Sequence, residues 1–157
     1  MIKLFVEMND IKKRLYNLCI AYADERIDNA SQAIAAARLS STEDTKSSAG
    51  DKYETGRAMM QQDIDRQTLQ LNEARKLKTF LERMEPKNQS DTVQNGSLAY
   101  TNHGIFYLAI SMGQVDLDGK TYYVISGESP IGAQLMNQRK GARFTFNGRQ
   151  YEVQSVG

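Results

Sequence analysis

Apolar residues recur every three or four positions along two long stretches of the chain. In the first stretch, residues 2–37, they are Leu4, Met8, Ile11, Leu15, Leu18, Tyr22, Ile27, Ala30, Ile34 and Ala37. In the second stretch, residues 60–84, they are Met60, Ile64, Leu71, Ala74, Leu77, Leu81 and Met84, with Gln67 in the same stripe. This spacing predicts two long amphipathic helices, the first about 55 Å long, that pack as an antiparallel hairpin or coiled coil over residues 1–84.

The tip of this predicted hairpin, residues 40–56, is rich in small polar and acidic residues. Glu43 lies beside Asp44 in the sequence SSTEDTKSSAG, and Asp51 and Glu54 follow. One interpretation is a solvated helix end, where acids favour the positive end of the second helix. The other is functional, because carboxylates on a rigid arm can complete the coordination shell of a Mg²⁺ ion held by another protein. The residues alone leave both interpretations open.

Beyond residue 84 the helical spacing stops. Residues 85–95 read EPKNQSDTVQN and predict a linker. Residues 96–111 and 120–125 are rich in aromatic and β-branched residues and are joined through Asp118-Gly119, and a further hairpin surrounds Asn147-Gly148. This pattern predicts a small antiparallel sheet over residues 96–157.

A short helix is predicted between the strands, over residues 129–138. Ser129 is placed to cap it, Pro130 occupies the first helical position, and Gly141 lies near its end. The second domain is therefore predicted to be α+β, with one small core. Its expected members are Phe106, Leu108, Ile110, Tyr123, Ile125, Leu135, Phe144, Phe146 and Val153.

The composition of the chain argues against several classes of function. The net charge of +1 gives no bulk field for nucleic acid or an anionic membrane. His103 is the only histidine, so the chain cannot form a zinc site with two histidines, and the residues around His103 do not resemble a catalytic triad. Neither of the nucleotide-binding motifs GxGxxG and GxxxxGK[ST] occurs. We therefore expect no intrinsic catalysis and no cofactor of the chain's own.

The cellular setting is also an expectation from composition. Cys19 has no partner for a disulfide within the chain, the opening residues do not form a signal peptide, and no run approaches the ~20 apolar residues of a membrane span. We expect a cytoplasmic protein that does not enter a membrane. Because each helix stripe can pack against the other, we also expect a monomer.

Residues 125–156 resemble the C-terminal domain of the Gre transcription factors. The family pattern is met at Ile125, Ser126, Ser129, Pro130, Ile131, Gly132, Leu135 and Gly141, and the closing strand matches at Tyr151, Glu152 and Val153. The resemblance covers both halves, because Gre factors carry an antiparallel coiled coil ahead of an FKBP-like domain. Near the tip, Asp44-Thr45-Lys46, Tyr53 and Arg57 are similar to family residues once the alignment is shifted by two positions.

The resemblance implies a role at RNA polymerase. The coiled coil would enter the secondary channel of the polymerase, and its tip acids would act at the active-site Mg²⁺ during cleavage of backtracked RNA. The tip candidates are Asp44 and Glu43 at the metal, with Asp51 as a helper. The globular domain would bind the channel rim, with Ser129, Pro130, Arg139 and Lys140 as candidate contacts, and RNA would be contacted indirectly if at all.

One departure from the family keeps alternatives open. The family pattern has a glutamate three residues after Asp44, and Ser47 stands there instead. The chain can accordingly be a cleavage-stimulating factor or a non-cleaving regulator or inhibitor in the same channel. Alternatives of another class are an FKBP-like peptide-binding module or prolyl isomerase, and a coiled-coil oligomeriser.

Overall fold

The computed structural model describes residues 2–44, 50–84 and 89–157, without the side chains of residues 2, 4, 5, 41–44 and 51–54. Two helices come first, and the remaining described residues form six strands and a short third helix. The elements are α1 (Ile2–Asp44), α2 (Gly50–Arg83), β1 (Leu98–Thr101), β2 (Gly104–Ala109), β3 (Gly113–Leu117), β4 (Lys120–Ser126), α3 (Pro130–Leu135), β5 (Arg143–Phe146) and β6 (Arg149–Val156). The predicted α+β class is confirmed, and no described helix is long and apolar enough to span a bilayer.

Internal contacts divide the chain into two compact units. The hairpin unit is Ala21–Thr79, and the sheet unit combines Met1–Ile20 with Phe80–Gly157. Residues 85–88 of the predicted linker lie outside the described residues. The remainder of that segment is ordered by packing, because Val93 is fully buried and Thr92 forms a β-bridge with Arg139.

The hairpin unit is held by contacts between its two helices. Ala30 and Ile34 of α1 are buried together with Leu71 of α2. Asp24 of α1 also contacts Lys78 of α2, with 2.7 Å between the carboxylate oxygen and Nζ. Going forward along α1 from Asp24 to Ile34 corresponds to going backward along α2 from Lys78 to Leu71, which makes the pair antiparallel. Burial of each large aliphatic side chain contributes about 1.5–3 kcal/mol, whereas the exposed ion pair contributes at most about 1 kcal/mol.

The buried stripe of α1 differs from the predicted one in its middle. Leu18 is 39% exposed, and the neighbouring Cys19 is fully buried, as is Ala23. Buried positions advance by four residues from Leu15 to Cys19 and from Cys19 to Ala23. Small side chains therefore occupy the middle of this buried stripe. The larger apolar residues next to them made the sequence pattern point one position away.

The sheet has the strand order β3-β4-β2-β1-β6-β5. Four of its neighbouring pairs are antiparallel, but β2 and β4 run parallel, with Phe106 opposite Tyr123. The sheet is therefore mostly antiparallel, as predicted, with one parallel pair that the sequence pattern did not indicate. The strand that the Asp118-Gly119 turn joins to β4 is the edge strand β3, so β4 returns beside β2 in the same direction.

Two predicted turns are confirmed in conformation. Asp118 and Gly119 have φ of 51° and 79°, and Asn147 and Gly148 have φ of 50° and 77°. Positive φ at both central residues is what a type I′ turn requires, and aspartate, asparagine and glycine tolerate it best. These turns fix the registers of β3 with β4 and of β5 with β6.

Both faces of the central strands are buried. On one face, a cluster contains most of the predicted core: Phe106, Leu108, Leu135 and Val153, with Ile125, Phe144 and Phe146 partly buried against it. The predicted core position of Tyr123 is wrong, because this side chain is 36% exposed. Its neighbour Tyr122 is buried on the opposite face, since side chains alternate along a strand.

Within the sheet unit, the first part of α1 contacts the turn between β3 and β4 and the last part of α2. Arg14 donates to Asp118 over 2.6 Å, and the Tyr16 hydroxyl donates to the Leu81 carbonyl over 3.0 Å. Burial raises the pKa of the Cys19 thiol to about 12, which keeps it protonated and unreactive. The buried Tyr107 hydroxyl has no hydrogen-bond partner among the described residues.

The Arg14–Asp118 pair makes stability depend on pH. The guanidinium lowers the pKa of the Asp118 carboxyl through a hydrogen bond and its charge. A lowered pKa means that the pair stabilises the fold above about pH 4, where a free aspartate is ionised, and loses this effect as pH falls through the lowered value. We expect Asp118→Asn to be less stable than the unaltered protein at about pH 7, and this difference to shrink as pH is lowered toward about 2, measured by urea unfolding. An equal difference at both pH values would contradict this assignment.

Candidate functional site

The tip acids lie where the two helices end. α1 continues to Asp44 and α2 begins at Gly50. Glu43 and Asp44 are therefore in the last turn of α1, and Asp51 is in the first turn of α2. Their side chains, and Thr45 to Ala49 with Ser47 among them, lie outside the described residues. Both helices extend further into the tip than the apolar pattern predicted.

The helix ends separate two interpretations of these acids. Acids are favourable at the first turn of a helix and unfavourable at the last, by about 0.3–1 kcal/mol each at low ionic strength. Asp51 fits the favourable case. Glu43 and Asp44 are in the last turn of α1, which contains no basic residue. The sequence-based idea that Glu43 and Asp44 favour the positive end of α2 is therefore not supported, because they belong to α1.

A metal would need ligands from outside the described part of this chain. Nowhere in that part do three or more histidine, cysteine, aspartate or glutamate residues come together as a metal-binding group. Glu43 and Asp44 have the hard oxygen ligands that Mg²⁺ prefers, and Asp51 adds a third at the facing helix end. Two or three carboxylates fit a partial contribution to a Mg²⁺ shell, with the remaining ligands supplied elsewhere.

Ser129 and Pro130 have structural positions at the start of α3. The Ser129 hydroxyl donates to the Ser126 carbonyl over 2.6 Å and accepts from the Gly132 amide over 3.1 Å. Pro130 occupies the first turn, as predicted. Ser129 thereby links the end of β4 to the helix, which explains why a serine is needed there without any partner protein.

Gly132 explains another part of the same motif. A Cβ at this position would lie 2.0 Å from the Ser126 carbonyl oxygen. Only glycine lets α3 approach the end of β4 this closely, and Leu135 on the same helix is fully buried. The residues that carry the resemblance in this segment are thus residues that build the fold.

The predicted basic contacts follow α3. Arg139 and Lys140 are exposed, and the Arg143 guanidinium lies 3.8 Å from the Glu152 carboxylate. The structure adds Arg149, which sequence analysis did not single out. It is exposed and lies directly opposite Phe146 in the β5–β6 hairpin. The Asn147-Gly148 turn, which fixes this register, was the signal that could have identified it.

His103 has a structural role in the turn between β1 and β2. Its Nε2 lies 3.0 Å from the Gln150 carbonyl oxygen. The side-chain Nδ2 of the neighbouring Asn102 donates to the same carbonyl over 3.0 Å. Asn102 Oδ1 also accepts from the Glu152 amide over 2.8 Å. These hydrogen bonds therefore hold the turn against β6.

Similarity to known proteins is weak. No family model and no curated protein sequence matches this chain. A solved structure of the transcription factor Gfh1 is similar over 83% of this chain and 92% of that one, at 17% identity and a TM-score of 0.34. A likeness at this level carries no argument about function.

Proposed function

We propose that this chain is an RNA polymerase-binding transcription elongation factor. Its hairpin tip would enter the secondary channel and act at the active-site Mg²⁺, stimulating cleavage of backtracked RNA. The observation that supports this most is that α1 stays helical to Asp44 and α2 resumes at Gly50. From Ala21 to Asp44 the helix rises about 36 Å, so acids at its end are carried on an extended two-helix arm.

The placement of Glu43 and Asp44 supports a role for them outside the fold. Acids in the last turn of a helix lower its stability, and a cation bound near that end would reverse the effect. In this proposal the polymerase holds the Mg²⁺ ion, which supplies a Lewis acid and an activated water for phosphodiester hydrolysis. Glu43 and Asp44 would supply additional oxygen ligands and orient the water, and Asp51 would assist from α2.

The sheet unit would provide the second attachment to the polymerase. Arg139 and Lys140 are exposed after α3 and are available for an acidic partner. Ser129 and Pro130 would act indirectly, because their contacts order the start of α3. We therefore assign the two cations as candidate rim contacts, and the serine and proline as residues that position the loop.

The test is an RNA cleavage assay with purified, stalled elongation complexes. We expect the protein to shorten the backtracked transcript faster than polymerase alone, and to restart elongation from the new 3′ end. Nuclease activity without polymerase would contradict the assignment as an accessory factor. Binding to polymerase without faster cleavage would remove the cleavage role.

A non-cleaving regulator or inhibitor in the same channel is the second candidate. It is favoured by Ser47, which stands where the resemblance calls for an acid. A channel-filling arm that lacks a complete acid pair would slow nucleotide addition. Competition with a cleavage-stimulating factor separates the two candidates, because an inhibitor would suppress the stimulated cleavage and an active factor would add to it.

A further inference from the structure

The β5–β6 hairpin carries aromatic side chains on one face. Phe144 is directly opposite Tyr151, and Phe146 is directly opposite Arg149. Because alternate residues of a strand share a face, these four side chains lie on the same side of the hairpin. We call Phe144, Phe146 and Tyr151, together with His103, the aromatic face. The ring centroid of His103 is 4.8 Å from that of Tyr151.

The rings of the aromatic face are ordered by one another. Phe144 and Tyr151 are stacked, with centroids 5.2 Å apart and 2° between the ring planes. Phe146 meets Tyr151 edge-on at 6.3 Å. Tyr151 is nearly buried at 9% exposure, whereas Phe144 and Phe146 are only partly buried and His103 is exposed. The outer rings are thus held in place and still reach solvent.

Positive charge is concentrated in the segment of the chain that contains this hairpin. Residues 139–152 contain Arg139, Lys140, Arg143 and Arg149 against the single acid Glu152, for a local charge of +3. The whole chain carries only +1, so its other residues are net acidic. Glu152 and Arg143 lie opposite each other on the other face of the hairpin, with 3.8 Å between their charged groups, so Arg149 is the hairpin cation that shares the aromatic face. An anion is therefore attracted to this part of the surface rather than to the chain as a whole.

We propose that the aromatic face and its surrounding cations bind single-stranded RNA. Planar bases can stack on partly exposed rings, and phosphates can pair with arginine and lysine side chains. An acidic peptide would match the charge but would leave the rings without planar partners. Duplex RNA would match the charge but hides its bases within the stack. This site goes beyond the proposed function, in which the chain need not touch RNA directly.

The test measures binding of a fluorescent oligouridine of about 12 nucleotides to the purified full chain without polymerase, by anisotropy at about 50 mM salt. We expect Arg149→Gln to weaken binding about fivefold and Phe146→Leu about tenfold. Affinity should also fall with added salt, with a logarithmic slope near −2 if about three phosphates are contacted. Because polymerase is absent, failure of this test would leave the cleavage proposal standing.

Matched control variants distinguish RNA binding at the aromatic face from non-specific electrostatic attraction of RNA to the protein surface. Arg75→Gln removes the same charge from an exposed position on α2, and Phe80→Leu removes a ring that is 37% exposed on the same helix. We expect neither to change RNA affinity. Circular dichroism and thermal melting establish that Phe146→Leu is folded, and Arg149→Gln tests the site independently of folding.

Several outcomes would overturn the proposal. These are the absence of binding at low salt, an equal loss of affinity in Arg149→Gln and Arg75→Gln, or tighter binding to oligothymidine than to oligouridine. Competition by a polyglutamate peptide as effective as that by oligouridine would also overturn it, because only charge would then be recognised. Full affinity in a folded Phe146→Leu protein would exclude stacking on this face.

Discussion

We expect replacement of Glu43 and Asp44 together by alanine to abolish the proposed stimulation of RNA cleavage and to leave the proposed binding to polymerase unchanged. Both acids lie in the last turn of α1, where they have no favourable interaction with the helix dipole. Their removal should therefore keep or slightly raise the free energy of unfolding, by up to about 1 kcal/mol per residue at low salt. Cleavage should fall to the rate of polymerase alone, measured on stalled complexes with saturating factor.

The control for this variant is Glu25→Ala with Asp28→Ala. It removes the same two charges from exposed positions on α1 within the hairpin unit. We expect this control to retain stimulated cleavage. If the tip variant kept its activity, or if both variants lost it equally, the assignment of Glu43 and Asp44 to the metal would be wrong.

Substituting Gly132 by alanine destabilises the sheet unit by about 3 kcal/mol, at the upper end of the usual cost of overpacking. The added Cβ would lie 2.0 Å from the Ser126 carbonyl oxygen and 2.8 Å from the Ser129 hydroxyl. The first of these is a backbone atom that cannot rotate away, so α3 must move off the end of β4. Denaturant unfolding followed by circular dichroism measures the loss.

Gly56→Ala is the matched substitution with the opposite sign. Gly56 lies within α2, and a Cβ there would meet nothing within 4 Å. Because glycine costs about 0.5–1 kcal/mol relative to alanine inside a helix, this change should stabilise the protein. A loss below about 1 kcal/mol for Gly132→Ala would contradict the close packing of α3 on β4.

Local signals in the sequence predicted the elements of the fold. Asp118-Gly119 and Asn147-Gly148 adopt the positive φ angles that their residue types favour, and Ser129 caps α3 as its position indicated. Each of these features depends on a few neighbouring residues. The two long helices were also predictable, because their apolar residues repeat over many turns.

Contacts between distant residues were harder to predict. Periodicity indicates which side of a strand is apolar, but residues 122–125 of β4 are all apolar, so alternation alone could not show that Tyr122 is buried and Tyr123 exposed. The parallel pairing of β2 with β4 depends on where β3 inserts, and no local pattern specifies that. The burial of Cys19 in place of Leu18 reflects the fit between the packed elements rather than hydrophobicity.

The candidate site was predictable in part. The acidic residues at the tip were identified from their positions between two helical repeats, and the helix ends then assigned Glu43 and Asp44 to α1 and Asp51 to α2. Arg149 was missed because it is separated in sequence from Arg139 and Lys140. Its place beside Phe146 follows from strand pairing.

The central claim is that the hairpin tip comes next to the Mg²⁺ ion of the polymerase active centre. Replacing that ion by Fe²⁺ in a complex with this protein generates hydroxyl radicals, which cut polypeptide backbone only near the metal. We expect the cuts in this chain to be confined to the tip around residues 43–51. Cuts in the sheet unit, or an intact chain in a complex shown to have formed, would contradict it.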